Sequence, residues 1–404
     1  MFEDSVKNFL AERVNQGSPL LLGLSGGADS MALFHLLLEA QKKMGFILHI
    51  AHIDHGWRKE SHEEGESLRE VAAHFKIPFH LHRLEKMEGG DLENRCRNER
   101  LNFFHRLHQR YGYQALLLGH HAGDQAETVF KRIAEGSGLK GLGGLSSEKI
   151  LGNLKVWRPL LSTKKERLIA YLKKKEVAYF EDYTNQDPSY LRSRMREALF
   201  PYLEQVFEKK MEGNFVRLGK MCQELSEYFE GKRERIQKLW VVGPFGAYLD
   251  LTLGIEPLEL KYYLKESAPI SYDALEVLMA LIHKKRFDRF IHAGEITFYL
   301  TPFHLFMYQN PFPDFFKCPE LWKEGKGGDW KSFWLGEIQK IEPTYYLENI
   351  SNLDPLLRKK VKKWYALNKV PSFFNDKAPL LMKEGILIKD YLTGKKLNAS
   401  FIEG

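Results

Sequence analysis

Leu20-Leu21-Leu22-Gly23-Leu24, then Ser25-Gly26-Gly27-Ala28-Asp29-Ser30, then SMALFHLLLEA over 30–40 is the stretch that decides the fold. The run 20–24 reads as a strand buried on both faces, and the apolar residues after Ser30 recur at helical spacing. Strand, glycine turn and helix in direct succession open a parallel sheet with helices on its faces. The two glycines let backbone N–H groups turn inward on a bound anion, and the helix N-terminus behind them adds its positive dipole end. Ser25, Gly26, Gly27, Ala28, Asp29 and Ser30 therefore form a candidate phosphate cradle. The structural alternative is a glycine turn capped by Ser25 and Asp29.

A Walker loop, GxxxxGK(S/T), would set a lysine on the β- and γ-phosphates, and this loop has none. A lysine-free cradle with an Asp suits ATP whose β- and γ-phosphates leave together as pyrophosphate. Asp29 is then placed to help bind Mg²⁺ while an oxygen attacks the α-phosphate. The implied chemistry is adenylation.

Working outward, further strands are expected over 46–53, 77–84 and 115–119, with helices over 61–75, 92–111 and 125–134 and a glycine-rich loop over 136–144. The predicted class is α/β. A doubly wound parallel-sheet domain spans 1–205, a mainly helical connecting domain 206–312, and a small α+β domain 313–404. Loops at 25–30, 54–58 and 120–124 fall on one sheet edge, where open α/β sheets bind ligands. Residues 189–238 read as helical and basic, broken once at Pro201, and 310–319 reads as a proline-rich linker. Past it, 362–381 suggests helix, turn and extended chain, and 385–392 a strand.

The 404 residues are 44% apolar and 28% charged, which fits a folded multidomain chain and excludes a disordered one. No apolar run approaches the roughly 20 residues a membrane helix needs, and MFEDSVKNFLAERV is charged where a signal peptide is apolar. A cytoplasmic protein without membrane contact is expected. Cys96, Cys222 and Cys318 lie far apart, so no CxxC pair exists for a metal or redox dithiol. Lys and Arg number 60 against 53 Asp and Glu, a net charge of +7. They cluster at 164–167, 173–175, 192–196, 232–235, 284–286 and 358–363, which suits either solvated helix faces or a long polyanion.

The glycine loop resembles the signature of PP-loop pyrophosphatases. AHIDHG (51–56) with Arg58 and Ser61, ENRCR (93–97) with Arg100, HHAGDQAET (120–128), EGSGLKGLGGL (135–145) and WRPLL (157–161) are similar in order and spacing to the tRNA(Ile)-lysidine synthetase family. EDYTNQDPSYLRSRMREALFP (181–201) and VPSFFNDKAPLL (370–381) extend the resemblance over most of the chain. Two features depart from it: Gly123 stands before Asp124 where the family often has a second acid, and Asn375 stands before Asp376 where it usually has arginine.

The resemblance implies ATP- and Mg²⁺-dependent attachment of L-lysine to C2 of the wobble cytidine in the CAU anticodon of tRNA(Ile), and by analogy a homodimer. The base must leave its stack to react. Arg97 and Arg100, one turn apart, are candidates to neutralise phosphate or the developing charge on the cytidine. His120 and Asp124, four residues apart, can face one pocket. His120 is a candidate ATP contact or proton carrier, and Asp124 a candidate ligand of Mg²⁺ or of the lysine ammonium. Asp54 and Glu127 are candidate lysine-binding acids; their alternatives are a turn-forming Asp and an acid favouring a first helical turn. Arg192, Arg194, Arg196, Lys360 and Lys363 are candidate tRNA phosphate contacts. A thiolase making the same adenylate and a non-catalytic RNA-binding protein are the competing readings.

Overall fold

The computed structural model describes residues 2–54, 56, 60–84, 92–180, 191–310, 312, 323–325, 329–338, 341–377 and 379–393. Most of the loop 54–58 and of the linker 310–319 and all of 181–190 therefore lie outside the described residues, as do Cys318 and the side chains of Glu93 and Asn94. The chain forms two compact units, Met1–Ser226 and Glu227–Gly404.

The first unit begins with Phe2–Ala11 (α1), Pro19–Gly23 (β1), Ala28–Met44 (α2), Ile47–Asp54 (β2), Glu60–His74 (α3), Phe79–Arg83 (β3) and Leu92–Tyr111 (α4). Ala115–Leu117 (β4), Ala122–Ala134 (α5), Leu139–Leu142 (α6), Glu148–Leu151 (β5), Leu154–Trp157 (β6) and Lys165–Lys174 (α7) complete its sheet and flanking helices. The sheet order is β3-β2-β1-β4-β6-β5, parallel throughout except for the antiparallel edge strand β5. Leu20 and Leu22 pack with Leu33, Phe34 and Leu172 on one face, while Leu21 joins Phe104, Leu107 and Leu116 on the other. Each such fully buried leucine contributes about 1.5–3 kcal/mol. The order reverses between β1 and β4, so the loops after these two strands flank the crevice at the switch point.

Three local readings change. Residues 120–124 are expected as loop, but α5 starts at Ala122. Gly123 N–H donates to the His121 side chain and His121 N–H to the Asp124 carboxylate, a reciprocal cap that turns HHAGD into a helix start. The glycine-rich 136–144 contains the short helix α6. Pro201 does not break its helix: Leu191–Arg194 (α8) runs through a π-helical stretch, Met195–Leu199, into Phe200–Phe207 (α9). Phe200 N–H donates to the carbonyl of Met195, five residues back, and this widened turn accommodates a ring that lacks an N–H. The break comes at Glu208, with φ +51°, before Glu212–Leu239 (α10).

The second unit holds a five-stranded antiparallel sheet from Trp240–Gly243 (β7), Gly246–Asp250 (β8), Arg289–Ala293 (β9), Ile296–Leu300 (β10) and His304–Gln309 (β11), in the order β7-β8-β11-β10-β9. Helices Pro257–Ser267 (α11) and Tyr272–His283 (α12) cover one face, with Leu260, Leu275 and Leu278 against Phe298 and Leu305. A second cluster joins Tyr299, Phe306, Phe312 and Trp334 to Val361, Phe374 and Leu387. Among its members are residues of Pro355–Leu367 (the thirteen-residue basic helix) and of the last hairpin, Pro379–Lys383 with Ile386–Asp390. No helix among the described residues is long and apolar enough to cross a membrane.

Candidate active site

Gly26 sits at φ +86°, where only glycine is unstrained, and a Cβ there would lie 2.5 Å from the Phe180 ring. Phe180 N–H donates to the Gly26 carbonyl at 2.9 Å, fastening the loop from behind. No side chain caps α2 at Gly27, so the capped-turn alternative is not what forms; Gly27 pairs with Phe180 in a short parallel bridge, and the positive end of the α2 dipole lies at the loop. The Ser25 and Gly26 amides instead donate to the buried Ser30 Oγ, at 3.2 and 3.1 Å, and Ser30 Oγ–H donates to the Gly27 carbonyl at 3.0 Å. Ser30 thus shapes the cradle from inside. Two residues past β4, a Cβ at Gly119 would come within 3.1 Å of the Asp29 backbone, so a larger residue there would have to push the loop back by a few tenths of an ångström.

Asp29 and Asp124, 95 positions apart in the chain, meet at His121. Gly123 N–H donates to His121 Nδ1 at 2.9 Å, so a ring proton resides on Nε2, which lies 3.6 Å from Asp29 Oδ2 and 3.6 Å from Asp124 Oδ2. Burial pushes Asp29 above the usual carboxylate range against the opposing charges of His121 and Lys165, and its Oδ1 is buried with no hydrogen-bond partner. Burial acts on Asp124 too, but His121, His120 and the His121 amide outweigh it and hold this carboxyl low. Two carboxylates with opposite shifts in one cleft are a pattern of functional sites.

His120 accepts from Arg158 Nε at 3.1 Å, and Arg158 also donates to the Ser146 carbonyl at 2.8 Å. Burial, opposed by Asp124 and aided by Arg158, Arg192 and Arg100, lowers His120 to about 4. At pH 7 it is a neutral imidazole, suited to contact a ligand and unsuited to take up a proton. The unfolded chain binds this proton near pH 6.5 and the folded chain only near 4, so folding stability rises with pH through that window. Between pH 4.5 and 6.5, wild-type stability is expected to gain about 2 kcal/mol more than His120→Gln gains, measured by urea unfolding. Equal gains would contradict a depressed His120.

Glu127 is 3% exposed, and Arg196 donates to its Oε1 from Nε at 2.9 Å and Nη2 at 2.6 Å. The structure thus pairs a residue read as lysine-binding with one read as tRNA-binding, leaving Glu127 Oε2 buried and unpartnered. Arg192 Nη1 lies 4.0 Å from Asp124 Oδ1, and Arg194 is exposed on α8. Exposed Arg97 acts by its charge on Arg158, after burial, as Arg100 does on His120, which places the basic face of α4 near this cluster. Asp54 ends β2 in a turn, accepting from Gly56 N–H at 2.9 Å, with Arg83 Nε 3.6 Å away. In the second unit, Lys360 is half-buried and Lys363 exposed on the 355–367 helix. Arg358 and Lys362 of that helix flank Asp376 at 3.6 and 2.9 Å.

Two residues of this cluster, His121 and Arg158, are not among the site residues expected from sequence. His121 had a signal, the three-residue spacing to Asp124 that makes a capping box. Arg158 had one as well: it follows β6 on the same sheet edge as the other loops.

Residues 1–203 match the family model of the PP-loop domain. The tRNA(Ile)-lysidine synthase of Protochlamydia amoebophila (strain UWE25) is 31% identical over 97% of this chain and 92% of its own length. That of Chlamydia pneumoniae is 41% identical over 52% of this chain and 65% of its own. Among solved structures, a U34-tRNA thiolase from Methanococcus maripaludis with its iron–sulfur cluster aligns at 20% identity and TM-score 0.45, covering 55% of this chain and 78% of that one. An NH3-dependent NAD synthetase from Campylobacter jejuni aligns at 17% and 0.31, covering 57% and 93%.

Proposed function

The chain belongs to the tRNA(Ile)-lysidine synthase family, and on that premise we propose that it attaches lysine to C2 of the wobble cytidine in the CAU anticodon of tRNA(Ile), converting ATP to AMP and pyrophosphate. The observation that carries the residue assignment is the meeting of Asp29 and Asp124 at His121, beside an uncapped helix N-terminus at the sheet's switch point. The modified base pairs with A in place of G, and the work is done in the cytoplasm.

In the first step the cytidine C2 oxygen attacks the α-phosphorus, the new O–P bond forms and the bond to pyrophosphate breaks. In the second, a lysine amine forms the C2–N bond, AMP leaves with the oxygen, and the amine releases a proton. Ser25 to Ser30 hold the departing phosphates through the loop and the first turn of α2. Neutral His120 donates from Nε2 to the nucleotide, and Arg97 with Arg100 offsets the charge of the adenylated base. Asp29 and Asp124 fit a hard divalent cation, since both offer oxygen donors and the buried Asp29 Oδ1 lacks any partner. Mg²⁺ held there would neutralise triphosphate charge. Glu127, through its unpartnered Oε2, and Asp54 are the anions we assign to the lysine substrate.

We assign adenylation to residues 1–205 and most of the tRNA binding to 206–312 and 313–404, with Lys360 and Lys363 of the last segment and Arg192 and Arg194 of the first on phosphates. If so, tRNA affinity falls steeply with salt, with a log–log slope of about −4 or steeper, and Arg192→Ala reduces the slope by about 1. A flat salt response contradicts these contacts. AMP release that requires a CAU-anticodon tRNA, and turnover that requires lysine, test the function itself; AMP formed equally well without tRNA rejects it. The thiolase alternative fares worse on the described cysteines: Cys96 and Cys222 are buried, and burial pushes both thiols above the usual range, away from a reactive thiolate.

A further inference from the structure

The glycine loop carries no lysine, and the geometry points to Lys165, at the first turn of α7, as the cation that grips the leaving pyrophosphate. This inference rests on the ATP-using reading of the loop. Strand β6 runs parallel to β4 and β1, so α7 begins on the same sheet edge as the loop. Two residues before Lys165, the Thr163 carbonyl accepts from Ala122 N–H at 2.9 Å, which ties the start of α7 to the start of α5. Beyond the far end of α7, Phe180 donates to the Gly26 carbonyl, so the segment 163–180 is fastened at both ends to the loops that form the crevice.

Between those ends α7 lies along α2 and runs in the same direction. Lys175 Nζ sits 2.8 Å from Glu39 Oε1, and Tyr171 O–H donates to the same oxygen at 3.3 Å. Ten residues earlier on both helices, about 15 Å back along each axis, stand Lys165 and Asp29. No side chain caps α7 at Lys164, so its first amides and the half-buried Lys165 ammonium present positive charge together. A Walker lysine would come from within the loop; here a neighbouring helix delivers it. Its role is to bind the departing β- and γ-phosphates as the bond to the α-phosphorus breaks.

The test is calorimetric binding of inorganic pyrophosphate, and separately of AMP, to the full-length protein as wild type, Lys165→Gln and Lys165→Arg. Lys165→Gln is expected to weaken pyrophosphate binding about tenfold or more, Lys165→Arg to keep it within about threefold, and AMP affinity to stay unchanged in all three. Wild-type pyrophosphate affinity in Lys165→Gln overturns the inference, as does an equal loss for AMP and pyrophosphate, which would mark a general distortion. Wild-type protein that binds neither probe overturns it too, and in that case the nucleotide reading of the loop fails with it.

Discussion

Asp29→Ala is expected to abolish lysine transfer, by about 10³-fold or more, while the protein melts at or above the wild-type temperature. The two halves of this result have one cause. Asp29 is held where burial disfavours its charge, its Oδ1 has no hydrogen-bond partner, and the His121 Nε2 that its Oδ2 faces is 3.6 Å away, beyond hydrogen-bonding distance. A carboxylate so placed destabilises the folded state, and alanine removes that penalty together with the carboxylate we assign to Mg²⁺. Parallel assays of labelled-lysine transfer and thermal unfolding check it. Activity within tenfold of wild type would remove Asp29 from the chemistry, and a large drop in melting temperature would make it a structural residue.

Arg196→Ala is expected to destabilise the first unit by about 3 kcal/mol, because it leaves Glu127 as an uncompensated buried carboxylate. Both guanidinium donors go to Glu127 Oε1, and Glu127 is almost wholly out of solvent. Glu127→Leu combined with Arg196→Leu is expected to recover most of the loss, since removing both partners leaves no orphan charge. Urea unfolding of the two single variants and the pair measures this. If Arg196 served only as an exposed phosphate contact, its alanine variant would keep wild-type stability and lose only tRNA affinity.

The strand, glycine loop and helix over 19–44 were legible because their signals are local: an apolar run, a glycine pair and helical periodicity. The start of α5 is hidden in sequence because HHAGD has loop composition, and the cap between His121 and Asp124 is a bond that the three-residue spacing allows without requiring. The partnership of Glu127 with Arg196, 69 residues apart, leaves no trace in local sequence, which points each to a separate ligand. Proline predicts a helix break at Pro201 because the rule assumes the α register, and the π-helical turn before it relaxes that rule. The antiparallel sheet over 240–309 was blurred by strands of four to six residues, too short to carry a periodicity.

The central claim is the joining of lysine to a wobble cytidine through an adenylate. The most direct measurement incubates the protein with ATP, Mg²⁺, radiolabelled lysine and a tRNA(Ile) transcript with a CAU anticodon, beside the same transcript carrying a UAU anticodon, then digests to nucleosides. Label recovered on the wobble nucleoside of the CAU transcript alone, dependent on ATP and absent with Asp29→Ala, is the predicted result. Label on neither transcript, or equal label on both, would contradict it.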